Sequence, residues 1–184
     1  MLCTNLKTLA CLALGAVSAL AHDTALWGYG FGIHGMPLFY SDGFAYLGHE
    51  APANALVSTN ISLVTISGGG SFTAKPVNST LSDWTSPKLS IDNNPGALSP
   101  VSFSSGENSS LTTSGFDLWG TLLIWVSNEG AVDIKWYAEP VDAYNRTWAL
   151  KWNVDNIVGN QAIPIALKTL PPSSQRRGRS RLFS

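Results

Sequence analysis

The chain has 184 residues, of which 45% are hydrophobic and 12% charged, with a net charge of −1 and two cysteines. This length is enough for one domain with its own core, and so few cysteines exclude a disulfide-dense toxin or inhibitor scaffold. The charge is uneven, because residues 22–173 hold twelve acids against six bases, a net of −6, while four arginines lie in the last eleven residues. A mildly acidic body does not suit binding to nucleic acid.

Residues 1–21 have the pattern of a secretory signal peptide. Lys7 precedes an uncharged, mostly apolar run that closes with small residues, and cleavage is expected after Ala21. Both cysteines, Cys3 and Cys11, belong to this segment, so the mature chain is expected to contain no disulfide. No later stretch is apolar for long enough to span a bilayer. We therefore expect a secreted protein, extracellular or in a cell wall, with no membrane span.

The mature N-terminal region begins with closely spaced glycines. The segment GYGFGIHG, residues 28–35, contains the G-x-G-x-x-G spacing of a dinucleotide fingerprint, but an extended run follows it where that motif needs a helix. These glycines are instead expected to allow bulges or close backbone packing. Beyond them, Leu38–Leu47 predicts a β-hairpin that turns at Asp42-Gly43.

The middle of the chain predicts further short strands. Ala55–Ser67 alternates polar and apolar residues and ends at a run of three glycines. Residues 71–116 are rich in Ser and Thr and contain several short strand candidates. Near the end, Ala162–Leu170 predicts a strand in which Pro164 is typical of a sheet edge.

The most densely apolar stretch holds five of the seven tryptophans. Within it, Leu118–Val126 alternates with period two and predicts one strand with two apolar faces. That strand is either covered on both sides, or it buries its aliphatic face and presents Trp119 and Trp125 on the other. Ala131–Tyr137 and Thr147–Val154 predict the next two strands of a meander.

The pattern as a whole indicates an all-β protein. No window has a sustained period of 3.6 residues, and turn signals recur at short intervals. We predict an antiparallel two-sheet β-sandwich over residues 22–172, with a closed β-barrel as the alternative. Residues 173–184 are basic with few apolar residues, and they predict a disordered tail.

Four segments, GIHGMPLFYSDGFAYLGHE, LWGTLLIW, IKWYAEP and WALKWN, carry a resemblance to a known family. They resemble a family of small secreted fungal all-β proteins with a Gly-rich start, an LP-x-FY-x-DG-x-AY-x-G hairpin and a late Trp-rich β region. The resemblance covers most of residues 27–170. It implies secretion and the fold class but no activity, and the Arg-rich end departs from the family pattern.

Two kinds of binding or modification residue are predicted. Trp119 and Trp125 are candidates for a carbohydrate platform, because tryptophan faces stack on sugar rings, with core packing as the alternative. Trp148 and Trp152 alternate with aliphatic residues and predict core. Four N-glycosylation sequons begin at Asn60, Asn78, Asn108 and Asn145.

A copper site is the most specific alternative to carbohydrate binding. Cleavage after Ala21 would leave His22 as the first residue, and its α-amino group and imidazole could chelate copper together with a second histidine. His49 is the preferred second ligand, and His34 is the other choice. The arrangement is similar to the histidine brace of lytic polysaccharide monooxygenases.

No catalytic residue is predicted. Asp133, Glu139 and Asp142 lie close in sequence, but acids on a solvated hairpin and in a turn explain them more simply than a glycosidase pair. We therefore expect a secreted, non-enzymatic protein that contacts polysaccharide. The alternatives are an extracellular protein partner or copper binding, and the oligomeric state is left open.

Overall fold

A computed structural model describes residues 21–66, 70–78, 83–105, 110–158 and 161–173; of residues 21, 22 and 66 only the backbone is described. Over these ranges the chain forms fifteen strands and no helix. The strands are β1 (Ala21–Thr24), β2 (Trp27–Gly30), β3 (Ile33–Ser41), β4 (Phe44–Gly48), β5 (Ser58–Ile66), β6 (Thr73–Pro76), β7 (Lys88–Ser90), β8 (Leu98–Pro100), β9 (Ser102–Ser104), β10 (Phe116–Trp119), β11 (Leu122–Val126), β12 (Val132–Asp133), β13 (Trp136–Pro140), β14 (Thr147–Asn153) and β15 (Ile163–Lys168).

The fold is all-β, antiparallel and sandwich-like, as predicted. The first sheet is built from β1, β4 to β9, β13 and β14. The second sheet is built from β2, β10, β11 and β12. β3 and β15 each contribute one segment to either sheet, so hydrogen bonding continues from one sheet into the other.

The two shared strands change sheets at defined residues. β3 pairs with β2 as far as Pro37 and with β4 from Leu38. β15 pairs with β13 at Ile163 and Pro164, and then with β2 from Ile165. The prediction that Pro164 marks an edge strand is therefore wrong. The proline instead lies where β15 exchanges one neighbour for another, and its missing N–H is tolerated there.

The core lies between the sheets and is centred on aromatic rings. Trp136 of the first sheet stacks on Phe116 of the second, with ring centroids 6.3 Å apart, and meets Trp152 edge-on at 4.7 Å. The indole N–H of Trp136 donates to the Leu123 carbonyl of the second sheet at 2.9 Å. Trp152, like Trp148, is buried as predicted. Such aromatic pairs add directional contacts to the burial of apolar area.

The predicted hairpin at Asp42-Gly43 is confirmed. β3 and β4 pair in register around these two residues, which both have positive φ, 45° and 88°. This is the backbone that a two-residue turn between twisted strands requires. The Asp42 carboxylate also accepts the backbone N–H groups of Leu56 and Val57, at 2.9 and 2.7 Å. The turn thereby fixes the loop that leads into β5.

The predicted single strand Leu118–Val126 is two strands. Gly120, with φ of 62°, and Thr121 form a turn that folds β11 back on β10. The predicted meander is also wrong, because the predicted strand Ala131–Tyr137 is divided between two strands. β12 stays in the second sheet, whereas β13 pairs with β14 in the first. The chain crosses between the sheets at Ile134-Lys135. A period-two count cannot detect a two-residue turn that is itself flanked by apolar residues.

Candidate functional site

The β10–β11 hairpin determines which tryptophan faces solvent. Phe116 pairs with Trp125 and Leu118 with Leu123, and these side chains face the core. The next pair towards the turn, Trp119 with Leu122, faces the other way. Trp119 is 71% exposed, the largest exposed fraction of any described tryptophan. On the outer side of the second sheet, Trp119 therefore presents its ring to solvent.

Trp125 does not share this surface. It is 6% exposed, its indole N–H donates to the Ser114 carbonyl at 3.0 Å, and its ring lies 6.1 Å from that of Trp152. The expectation that Trp119 and Trp125 form one platform is thus corrected. The Gly120 turn reverses the chain between them, so the two rings point to opposite faces of the sheet.

Trp27 takes the place that Trp125 was expected to fill. It lies on β2, next to Gly28, where an added Cβ would lie 2.5 Å from the Leu47 side chain of the core. Because neighbouring residues of a strand point to opposite faces, Trp27 and Tyr29 point outward. The sequence signal was present in Trp27-Gly28-Tyr29-Gly30, where glycines occupy every inward position.

Trp119 and Trp27 are in register across the second sheet. Trp119 pairs with Leu122, Leu122 with Lys168, and Lys168 with Trp27. Three steps between neighbouring strands correspond to about 14 Å between the two tryptophan Cα atoms. We call the surface formed by Trp27, Tyr29, Trp119, Leu122 and Lys168 the aromatic face.

The ring of Tyr29 is held at a fixed angle on this face. Its hydroxyl donates to the Leu170 carbonyl at 2.8 Å. The ammonium group of Lys168 lies 5.5 Å from the centroid of the same ring. A cation over an aromatic ring is attracted by the ring quadrupole, so Lys168 is positioned beside the aromatic rings with donors to spare. His34, paired with Tyr29, and Asp117, two residues before Trp119, are exposed at the margins.

The indole N–H groups separate the tryptophans into two sets. Five of them donate hydrogen bonds inside the protein, from Trp84 to Ala74, Trp125 to Ser114, Trp136 to Leu123, Trp148 to Asn145 and Trp152 to Asn93. Within the described ranges, those of Trp27 and Trp119 have no protein partner. Both rings of the aromatic face thus keep a donor available for an acceptor outside the chain.

A polar recess of about 480 Å³ lies elsewhere on the molecule. It is formed by Leu111–Ser114 and Val126–Glu129, together with Asn93 and the edge of Trp125. Hydroxyl and amide groups dominate its lining, and Glu129 is its one carboxylate. The recess offers hydrogen bonds and one aromatic lining residue, Trp125, whose indole N–H is already bonded to the Ser114 carbonyl, and its lining residues include no paired acid and base.

The predicted copper ligands are placed near different ends of β5. The backbone of His22 pairs with Thr65, whereas His49 lines a recess with Asn60. Five residues of strand, about 17 Å, separate Thr65 from Asn60. The His22 side chain lies outside what the structure describes, and His34 belongs to the margin of the aromatic face. No group of three His, Cys, Asp or Glu side chains suited to a metal occurs among the described residues. Copper binding stays a prediction.

The three acids considered for catalysis each hold a structural partner. Asp133 pairs with Lys135 at 3.1 Å, and Glu139 pairs with Lys151. Asp142 accepts three backbone N–H groups of its own turn, at 2.7 to 3.1 Å. Although desolvation acts to raise the pKa of Asp142, these hydrogen bonds lower it below its usual value overall. An acid held ionised in this way is suited to fixing a turn.

Three of the predicted glycosylation sites lie on the surface. Asn60, Asn78 and Asn145 are exposed, and Asn60 points outward from β5, opposite the buried Ile61. Asn145 lies in the β13–β14 turn with φ of 54°. Asn108 lies outside the described residues.

Fold and site together define an all-β, sandwich-like protein in which the outer side of one sheet carries the exposed Trp119 and the half-buried Trp27 and Tyr29. Comparison with family models, with curated proteins and with solved structures found no match. Across the described ranges, no helix has the length and hydropathy needed to cross a membrane.

Proposed function

We propose that this chain is a secreted, non-enzymatic protein of the extracellular space or cell wall that binds polysaccharide through the aromatic face. The observation that carries the proposal is the pair Trp27 and Trp119. They are the two tryptophans whose indole N–H has no partner in the described protein, and they lie in register on one face. Core tryptophans have no reason to share either property.

The chemistry of the face suits a sugar polymer. Indole rings stack on the apolar C–H faces of sugar rings, while their N–H groups and the Lys168 ammonium donate to sugar hydroxyls. Asp117 and His34 add an acceptor and a second polar group at the margins. A span of about 14 Å between the two tryptophans is longer than one sugar ring, so it favours a chain of several units over a monosaccharide.

The secreted location is supported by the leader-like pattern of residues 1–21 and by the resemblance to small secreted fungal proteins. Fungal walls are built from chitin and β-glucan, so these polymers are the first ligands to test. Cellulose, whose β-1,4-linked chains are flat ribbons like those of chitin, provides a third polymer.

The test is co-sedimentation of the secreted protein with insoluble chitin, β-glucan and cellulose. We expect retention on at least one polymer, and loss of that retention in Trp119→Ala and in Trp27→Ala. Tyr144→Ala is the matched control, because Tyr144 is an aromatic residue 77% exposed in a turn of the first sheet. Unchanged retention in both tryptophan variants would contradict the proposal, as would no retention on any polymer.

The same experiment, repeated with added copper and with chelator, separates the copper alternative. Binding through the aromatic face is independent of metal. Retention that requires copper would favour His22 and His49, and an extra residue before His22 should then abolish it, because the α-amino ligand would be displaced.

A further inference from the structure

Asn60 and Asn78, which begin two of the sequons, line the same recess. It has a volume of about 210 Å³ and also contains His49 and Glu50. The two asparagines come together because β5 pairs with β6, and the Val77 N–H donates to the Asn60 carbonyl at 2.9 Å. They are eighteen positions apart in sequence, so only the sheet brings them together.

Residues of the third sequon contact the loop Gly48–Ala51, which contains His49 and Glu50. The side chain of Arg146, the middle residue of Asn145-Arg146-Thr147, pairs with the Glu50 carboxylate at 2.8 Å. The Thr147 hydroxyl donates to the Glu50 carbonyl, also at 2.8 Å. The backbone of Thr147 pairs with Gly48. The loop Gly48–Ala51 thus lies close to the asparagines or the following residues of the three sequons whose asparagine the structure describes.

Two exposed hydrophobic side chains lie next to sequon asparagines. Val77, immediately before Asn78, is 64% exposed, and Tyr144, immediately before Asn145, is 77% exposed. An N-linked glycan is bulky and hydrophilic, and on the adjacent asparagine it would cover such a side chain. The second sheet carries the aromatic face on its outer side and no sequon asparagine among its described residues.

We propose that Asn60, Asn78 and Asn145 carry N-linked glycans that together cover the Gly48–Ala51 loop and leave the aromatic face bare. This inference rests on the secretory route in the proposed function, but not on polysaccharide binding. The molecule would then have a modified region, the glycan pole formed by the three asparagines and that loop, and a separate binding face. Bound polymer and attached glycans would not compete for the same surface.

Two exposed histidines provide a matched pair of reporters. His49 lies in the glycan pole, and His34 lies at the margin of the aromatic face. The full chain is produced in a eukaryotic secretory host, and one half of the sample is deglycosylated under native conditions. Diethyl pyrocarbonate modification of each histidine is then followed by peptide mass spectrometry. We expect His49 to react several-fold more slowly in the glycosylated sample and His34 to react equally in both.

Occupancy is measured on the same material. Asn60→Gln, Asn78→Gln and Asn145→Gln should each remove one glycan mass, and the Asn145→Gln variant should restore part of the His49 reactivity. Equal His49 reactivity with all three sites occupied would overturn the shared pole, and so would an unoccupied Asn60, Asn78 or Asn145 in secreted protein.

A second version with a foreign secretory leader in place of residues 1–21 distinguishes the two proposals. If the native chain stays inside the cell and the second version is glycosylated at all three sites, the proposed location is wrong and the native chain carries no glycans, although its fold presents the three asparagines as acceptors. If the second version is secreted without glycans at these sites, the glycan pole is wrong. Loss of polymer retention affects neither outcome.

Discussion

Trp119 and Trp125 are six positions apart, yet one is 71% exposed and the other 6%. The inner ring packs on Trp152 and donates its N–H to Ser114, whereas the outer ring has no such partner within the described ranges. The residue type is the same, so the difference comes from the turn at Gly120 that separates them. Hydrogen bonding of the indole N–H, together with strand pairing, therefore distinguishes a structural tryptophan from one available for binding.

The largest effect is expected at the centre of the core. Trp136 is fully buried, contacts two aromatic rings and donates to the Leu123 carbonyl. Trp136→Ala should lower the free energy of unfolding by about 3–5 kcal/mol, because it opens a cavity and leaves that carbonyl unpaired. Trp119→Ala should change it by less than about 0.5 kcal/mol. Chemical denaturation of both variants measures the contrast, and similar losses would show that Trp119 is structural.

Two glycines on either side of Trp119 test the turn itself. Gly120 has positive φ, and a Cβ added there would meet no other atom within 4 Å, whereas a Cβ on Gly115 would lie 2.5 Å from the Val126 carbonyl oxygen. Gly120→Ala should cost about 1–2 kcal/mol for the left-handed backbone alone. Gly115→Ala should cost more, because backbone must shift. Denaturation of the pair ranks them, and an equal cost would mean that the hairpin can rearrange.

Much of the fold could be predicted because local signals coincided with tertiary structure. Asp42-Gly43 determined a hairpin, and the alternation of Trp148, Leu150 and Trp152 identified buried positions of β14 correctly. The place of Trp27 beside Trp119 in the aromatic face could not be predicted in the same way. The register that aligns Trp119 with Trp27 runs through β15, and pairing between strands so distant in sequence leaves no trace in a local pattern.

The glycan pole also depends on contacts between residues that are distant in sequence. Each sequon is visible in the sequence, but their proximity depends on the β5–β6 pairing and on Glu50, whose ion-pair partner Arg146 is 96 positions away. The tryptophan assignment failed for a different reason, since the alternation lost its phase at Gly120. A better rule would have used the glycines of Trp27-Gly28-Tyr29-Gly30, which leave the aromatic side chains on one face.

A smaller effect concerns solvent access to the two kinds of tryptophan. Acrylamide should quench the Trp119 fluorescence and leave the emission of Trp136 and Trp152 largely unaffected, because only exposed rings meet the quencher. Trp119→Phe should remove the larger part of the quenchable emission without loss of stability, and the half-buried Trp27 should account for the rest. A soluble oligosaccharide of the retained polymer should protect the wild-type signal. Quenching that persists in full in Trp119→Phe would place the accessible ring elsewhere.

The smallest effect is expected at Asp142. Here a group that titrates, the Asp142 carboxylate, is compared with one that does not, the Trp136 indole. The turn hydrogen bonds, opposed by desolvation, lower the pKa of Asp142 in the folded state. A lowered pKa means that the carboxylate stabilises the fold above the unfolded pKa of about 4, and that this contribution disappears as pH falls through the folded value. The stability difference between wild type and Asp142→Asn should therefore be constant from neutral pH down to about 5 and shrink below about 4. Trp136→Phe is the control, since it removes a hydrogen bond without a titrating group and its cost should not vary over the same range. A difference for Asp142→Asn that stayed equally flat would show that the ionised carboxylate does not hold this turn.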